Sequence, residues 1–279
     1  MNRDLDANEF GRCRDLVQRL LGIHYRPAQL HLLGNRLQQR MQPLGIADYG
    51  AYLDLIQRHD QRAELQQFVD SITTNDTCLF RCPQHWDAFA AWVRAAAAAG
   101  ARSFRLWSAA ASNGAEACTI LIVLEQVLGR GFGGRTVELL GTDVNEQVLA
   151  AARTACFRPY ALAQTPPDVV RTWFRPVAGD RFEFDRRLLQ CATFRQHNLL
   201  APMTAPAFDF VFLHNVLLYF DAASKERALG HVHRALRPGG MLTVGESEHL
   251  LGVAHRFTYV RPSWFQKPAV ASCGAAGAE

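Results

Sequence analysis

No stretch of this chain approaches the roughly 18 consecutive apolar residues that a membrane-crossing helix requires. Its opening, Met1-Asn2-Arg3-Asp4-Leu5-Asp6, has no apolar core of the kind a secretory leader carries, so neither a leader nor a membrane span is expected. Paired cysteines are also missing. The seven cysteines are odd in number, scattered and without a CxxC pair, which excludes a structural zinc site and a disulfide framework. They read as reduced thiols of a cytoplasmic protein, and no metal is expected. The net charge of +4 is small, with no Lys/Arg tract and no RNA-type aromatic motif, so nucleic acid is excluded as a partner. What the chain does have is 279 residues, 49% of them apolar, enough to bury a sizeable core in one large domain and a smaller one.

Residues 9–72 carry apolar side chains at helical spacing. Leu30, Leu33, Leu37 and Met41 follow an i, i+3, i+7, i+11 course behind Pro27, a residue suited to a first helical turn. Leu44-Gly45-Ile46 breaks the run, Asp48 can start the next helix under Tyr49, Tyr52, Leu53 and Ile56, and a further helix is predicted over residues 62–72. Residues 1–72 are thus an all-α domain. Between Phe10 and Gly45 stand six arginines (Arg12, Arg14, Arg19, Arg26, Arg36, Arg40) against one acid, Asp15. Such a surplus suits an acidic protein surface as well as a solvated helix face. Arg36 and Arg40, four apart, are expected on one face away from the apolar stripe.

The small polar residues of Thr73-Thr74-Asn75-Asp76-Thr77-Cys78-Leu79-Phe80-Arg81 end the helical run. Residues 73–102 read as a linker with a helix through Trp86, Phe89 and Trp92. From residue 103 the pattern changes to short apolar runs alternating with helical segments, which implies βαβ units and a parallel, Rossmann-like sheet. Its later parts are a strand over 208–213, a helix over 223–236, the turn Arg237-Pro238-Gly239-Gly240 and a strand over 241–244. Residues 157–193 interrupt the alternation: Arg181-Phe182-Glu183-Phe184-Asp185 has the period of an exposed strand behind the turn-forming Ala178-Gly179-Asp180. They predict a small antiparallel insert, with a connecting loop and a helix over 168–174 as the alternative. Residues 256–266 form a last β segment of the 103–268 domain, and 269–279 a disordered tail.

The first strand of the sheet ends in Ser108-Ala109-Ala110-Ala111-Ser112-Asn113-Gly114-Ala115-Glu116, a small-residue loop opening a helix, where a flat ligand can lie against backbone. A dinucleotide would require G-x-G-x-x-G, and only Gly114 is here. S-adenosylmethionine has no phosphate, so alanines and serines suffice for it. The second strand ends in Leu140-Gly141-Thr142-Asp143, whose carboxylate can accept both ribose hydroxyls of an adenosine or can cap the helix that follows. Loop, acid and the late Leu236-Arg237-Pro238-Gly239-Gly240 together favour a methyltransferase sheet over a dehydrogenase one.

Three motifs, Thr73 to Arg81, Trp107 to Glu116 and Asn215-Val216-Leu217-Leu218-Tyr219-Phe220-Asp221, resemble the CheR-type chemotaxis receptor methyltransferases, and the resemblance runs over residues 20–268. It implies a class I methyltransferase fold, S-adenosylmethionine as cofactor, S-adenosylhomocysteine as product, and a cytoplasmic monomer. The pattern T-N-x-T-x-F-F-R implies that Asn75, Thr77 and Arg81 line the cofactor and methyl-transfer site. Glu116 matches the second glutamate of G-E-E and is implied at the cofactor's methionine end, with Asp143 on the ribose and Asn198-Leu199 of an N-L-L element beside the adenine. Asn215 and Tyr219 match R-N-V-x-x-Y-F, whose tyrosine sits near the transferred methyl, and His214, in the place of its arginine, is implied beside Asn215 in the cofactor site; Arg81 and Tyr219 are the implied catalytic pair. Departures stand at Ala115 for glutamate, Ala117-Cys118 for Pro-Tyr, His214 for arginine and Glu246 for the histidine of G-H-S-E.

The implied acceptor is a glutamate on the cytoplasmic helices of a chemoreceptor. With a free pKa near ~4.3 it is ionised at neutral pH, and no general base is needed. Arg81 is suited to hold that carboxylate, being permanently protonated. Docking is expected through Arg12, Arg19, Arg36 and Arg40, and the compact insert is expected to hold no tight peptide tether. A small-molecule methyltransferase and a cofactor-binding module weakened at Ala115 and His214 are the alternatives.

Overall fold

The computed structural model describes residues 5–205 and 207–269; the expected tail therefore lies, beyond its first residue, outside the described residues. Four helices come first: α1 (Ala7–Leu21), α2 (Leu30–Met41), α3 (Tyr49–Ile56) and α4 (Arg62–Ile72). Local chemistry sets their ends. Asp6 and Glu9 form a reciprocal capping box on α1, and Gly22 closes it with φ +74°. Asp48 caps α3 by accepting from Ala51 N. Pro27 starts a separate 3-10 turn, Pro27–Gln29, and α2 follows it. The expected stripe is buried: Leu33, Leu37, Met41, Tyr49, Tyr52, Leu53 and Ile56 share one core with Phe10, Leu16 and Phe68. Each large side chain so buried contributes about 2 kcal/mol.

Helix α5 (Pro83–Ala98) leads into a seven-stranded sheet. Its elements are β1 (Ser103–Ala109), α6 (Ala115–Leu128), β2 (Thr136–Asp143), α7 (Glu146–Thr154), then, after the insert, β6 (Ala192–Gln196), β7 (Phe208–Leu213), α10 (Ala222–Ala235), β8 (Leu236–Val244), β9 (Thr258–Arg261) and β10 (Trp264–Gln266). The order is β6-β2-β1-β7-β8-β10-β9, with the first five strands parallel. The order reverses between β1 and β7, the position at which open α/β sheets hold ligands beyond the strand ends. Both faces are covered, and β7 and α6 are accordingly apolar nearly throughout. Phe89 of α5 packs edge-on against Phe212 of β7 at 5.0 Å.

Two expectations are refined. Residues 256–266 are a hairpin, β9 against β10, because Ser263 (φ +63°) turns the chain after Pro262. The turn at residues 237–240 loops out inside β8, where pairing with β7 jumps from Leu236 to Met241 as β7 advances from Phe208 to Phe210.

The antiparallel insert is present, and the helix of the alternative lies within it. A three-stranded antiparallel sheet of β3 (Cys156–Phe157), β4 (Phe174–Val177) and β5 (Arg181–Phe184) is accompanied by α8 (Pro167–Trp173) and the short α9 (Arg186–Leu189). Main-sheet pairing resumes at Ala192. No helix of the described residues is long and apolar enough to cross a membrane.

Candidate active site

Beyond the ends of β1, β2 and β7 lies a cleft with about 1380 Å³ of empty space, part of it open to solvent. All ten residues singled out from the sequence line it: Asn75, Thr77, Arg81, Glu116, Asp143, Asn198, Leu199, His214, Asn215 and Tyr219. The helical domain supplies one wall, with His24, Tyr25 and Arg36.

The loop after β1 approaches closely because its backbone is bent. Ala110 (φ +91°) and Ser112 (φ +48°) take left-handed conformations, each costing a non-glycine residue about 1 kcal/mol. The amides of Ala110 and Ala111 both donate to Thr142 O, at 2.9 and 2.8 Å, which fixes the bend onto β2. Gly114 (φ +84°) completes it, where a Cβ would stand 2.9 Å from Ala152 Cβ of α7.

Asp143, 9% exposed, is not the cap of α7. Asn145 is, accepting from Val148 N at 3.1 Å, while the Asp143 carboxylate accepts from Ser112 N and Asn145 N, both at 3.0 Å. Burial raises its pKa, and the backbone donors of Asn145, Ser112 and Val144 oppose that. Two carboxylate oxygens have four lone-pair positions, so even with these donors the group can accept a further hydrogen bond.

Glu116, in the first turn of α6, accepts from the Ser108 hydroxyl at 2.6 Å and lies 2.8 Å from Nδ1 of His214. His214 follows β7 and also lies 3.3 Å from Nδ1 of His85. Asn215 takes φ +56°, and its amide donates to Glu248 at 2.8 Å. Arg81 donates to Asp76 O at 3.1 Å, and the Arg81 carbonyl accepts from Trp86 Nε1 at 2.9 Å. The Tyr219 carbonyl accepts from His24 N at 2.7 Å, pinning its loop to the helical domain. Asn75 accepts at its carbonyl from Ser112 Oγ at 3.0 Å, which lays the linker along the loop after β1. The Asn198 side chain is committed within the protein, donating to Leu20 O at 2.7 Å and accepting from Leu200 N at 2.9 Å.

The arginine face expected from α2 is not present as such. Arg36 turns into the cleft, bonding to Tyr25 Oη at 3.2 Å, Thr74 Oγ1 at 2.9 Å and the Ile72 carbonyl. Arg40 forms a two-pronged pair with Glu64, which also accepts from Tyr52 Oη at 2.8 Å. The reason is that α4 packs against α2 and supplies Glu64 to Arg40 and the Ile72 carbonyl to Arg36, with Tyr25 and Thr74 from the flanking segments adding to the latter. Arg12 pairs with Asp54 at 2.5 Å on the exposed surface.

Sequence reasoning assigned no part to His85, Ser112, His197 or, within the cleft, Arg36. His197 stands in the quoted Gln196-His197-Asn198-Leu199-Leu200 segment; its Nε2 is buried without a hydrogen-bond partner among the described residues, and burial lowers its pKa. Burial pushes up the thiols of Cys78 and Cys82, which line the cleft, Cys82 to about 11, and so disfavours their thiolate forms. No grouping of His, Cys, Asp and Glu among the described residues could hold a metal ion.

Residues 75–265 match the family described as CheR methyltransferase, SAM binding domain, and residues 8–73 match CheR methyltransferase, all-alpha domain. The chain belongs to the CheR methyltransferase family. The chemotaxis protein methyltransferase of Escherichia coli (strain K12) is 32% identical over 259 residues, 91% of this chain and 88% of that protein. The chemotaxis protein methyltransferase 2 of Pseudomonas aeruginosa (strain PAO1) is 32% identical over 253 residues, 88% of each. The protein is a CheR methyltransferase acting with S-adenosylmethionine in chemotactic signalling.

The cleft fits that cofactor. Asp143 offers a buried carboxylate with acceptor capacity left at the end of β2, the orphaned His197 Nε2 offers a polar contact nearby, and the small side chains of the 109–112 loop leave room against backbone.

Proposed function

We propose that this CheR methyltransferase esterifies glutamate side chains on the cytoplasmic helices of a chemoreceptor. The observation that carries the proposal is the convergence of Arg81 and Tyr219, from the linker and from the loop after β7, on the cleft that also holds Glu116 and Asp143. When bound, the cofactor supplies an electrophilic sulfonium methyl. Asp143 takes the ribose hydroxyls, Glu116 the methionine end, and Asn198 and Leu199 flank the adenine, with Leu199 offering its side chain and Asn198 its backbone. Asn75, Thr77, His214 and Asn215 complete the wall.

The acceptor glutamate is ionised at neutral pH, its free pKa being near ~4.3, so no residue has to remove a proton. Its attack joins opposite charges into uncharged products, a process that water slows and a dry, aligned cleft favours. Arg81 orients the carboxylate through a charge-assisted hydrogen bond, and the Tyr219 hydroxyl gives a second contact. Residues 1–72 serve as the receptor-docking domain, 73–102 as the linker and 103–268 as the methyltransferase domain with its insert at 157–193; the protein acts as a cytoplasmic monomer. With Arg36 and Arg40 engaged internally and Arg12 paired with Asp54, exposed Arg19 and Arg26 carry most of the docking charge, and salt weakens it.

Incubation with methyl-labelled cofactor and receptor cytoplasmic fragments tests the proposal. A base-labile methyl ester that releases labelled methanol is the expected product. Label appearing on small molecules alone, or nowhere, would reject it.

A further inference from the structure

Between α4 and α5, residues 73–78 form neither helix nor strand, and Asn75 and Thr77, which line the cleft, lie in this stretch. An irregular segment has no helix or sheet ladder to fix its backbone, so its place is set by groups that reach it from elsewhere. Those groups come from both domains. From the sheet side, Ser112 Oγ donates to Asn75 O at 3.0 Å and Asn145 Nδ2 to Thr73 Oγ1 at 2.7 Å. From the helical side come Tyr25 and Arg36. Tyr25 Oη donates to Ile72 O at 2.7 Å; Arg36 donates through Nη1 to Tyr25 Oη at 3.2 Å and to Ile72 O, and through Nη2 to Thr74 Oγ1 at 2.9 Å.

The half-buried Arg36 guanidinium thus spans the end of α4 and the start of the linker with its two terminal nitrogens. Its acceptors, a phenol, a carbonyl and a hydroxyl, carry no net charge, so what they require of Arg36 is the planar fork and not the cation. A lysine has the same charge on a single nitrogen and cannot repeat a two-nitrogen grip.

We propose that Arg36 is a positioning residue for the cofactor site and not a docking residue for the receptor: by fastening Ile72 and Thr74 to α2, it holds Asn75 and Thr77 against the loop after β1. This rests on the place given above to Asn75 and Thr77 in the cofactor site. The helical domain then contributes to methyl-donor binding through one side chain that need not touch the donor, and replacing that side chain changes donor affinity before it changes receptor affinity.

Calorimetry of S-adenosylhomocysteine with the whole protein tests this, together with methylation kinetics of receptor fragments at saturating cofactor. Arg36→Ala and the charge-conserving Arg36→Lys should each weaken binding about tenfold. The KM for receptor fragments should stay within about twofold of the parent's and keep the parent's dependence on salt. Thr74→Val removes one contact from the linker side and leaves the helical core untouched; it should weaken binding about threefold and add nothing when combined with Arg36→Ala. Parent-like binding by Arg36→Lys, a defect confined to a raised KM for receptor fragments, or full additivity of Arg36→Ala with Thr74→Val would overturn the proposal. Asn75→Ala then identifies what failed. Weaker binding in Asn75→Ala beside parent-like Arg36→Lys would strike the role of Arg36 alone, whereas parent-like binding in both would remove the linker from the cofactor site.

Discussion

The side-chain amide of Asn145, at the start of α7, donates to the Asp70 carbonyl of α4 at 3.0 Å. The same nitrogen donates to Thr73 Oγ1 at 2.7 Å, and the Asn145 oxygen caps α7, so one residue closes a helix and fastens the helical domain to the sheet beside Asp143. Replacing Asn145 by alanine removes the cap and two buried hydrogen bonds, each worth roughly 1 kcal/mol, and should destabilise the protein by about 2–3 kcal/mol. Asn145→Asp should recover the cap share alone. Urea unfolding of the three proteins measures both effects; an alanine variant as stable as the parent would show that the seam is held elsewhere.

Cofactor affinity should depend on Asp143. A charge-assisted hydrogen bond contributes roughly 1.5–3 kcal/mol, so Asp143→Ala should weaken S-adenosylhomocysteine binding by tenfold or more. Calorimetry reads this directly, and unchanged affinity would remove Asp143 from the ribose position.

Arg81 and Tyr219 should act on turnover with bound cofactor nearly unchanged, because their partners are the acceptor carboxylate and the reacting methyl. Arg81→Ala and Tyr219→Phe are therefore expected to lower the rate of receptor methylation while the dissociation constant of S-adenosylhomocysteine stays within about twofold. Parent rates in both variants would refute the assignment.

Acid should loosen the fold through His85. Burial, then the charge of His214, depress its pKa from 6.5 to about 4, so between those values the unfolded chain binds a proton that the folded one does not. Stability from this group is complete above pH 6.5 and is lost as pH falls from there toward about 4. Lowering the pH from about 7 to about 5 should cost on the order of 2 kcal/mol, and His85→Phe should remove that share of the slope. Equal slopes in parent and variant would contradict it.

Relations along the chain were readable in sequence, and relations across space were not. The α2 stripe and the βαβ alternation follow from periods of 3.6 and 2 and reappear in the fold. Whether Asp143 capped a helix or faced a ligand could not be read from its own neighbours, because the decision comes from Ser112 N, 31 residues earlier. Four-residue spacing placed Arg36 and Arg40 together on α2, yet Glu64 and the Ile72 carbonyl, which draw them inward, belong to α4. His85 and His214 are 129 residues apart, and no local pattern announces that they meet. The hairpin at residues 258–266 had a local signal, Pro262-Ser263, which the β-rich flanks obscured.

The cleft is lined from Leu21 to Gly245, with its first wall made early in synthesis and its floor made late. The edge from Leu21 to Tyr25 meets the loop after β7 directly: Ile23 pairs with Phe220, and His24 N donates to Tyr219 O at 2.7 Å. The two sides of the cleft are thus joined by contacts that span most of the length of the chain.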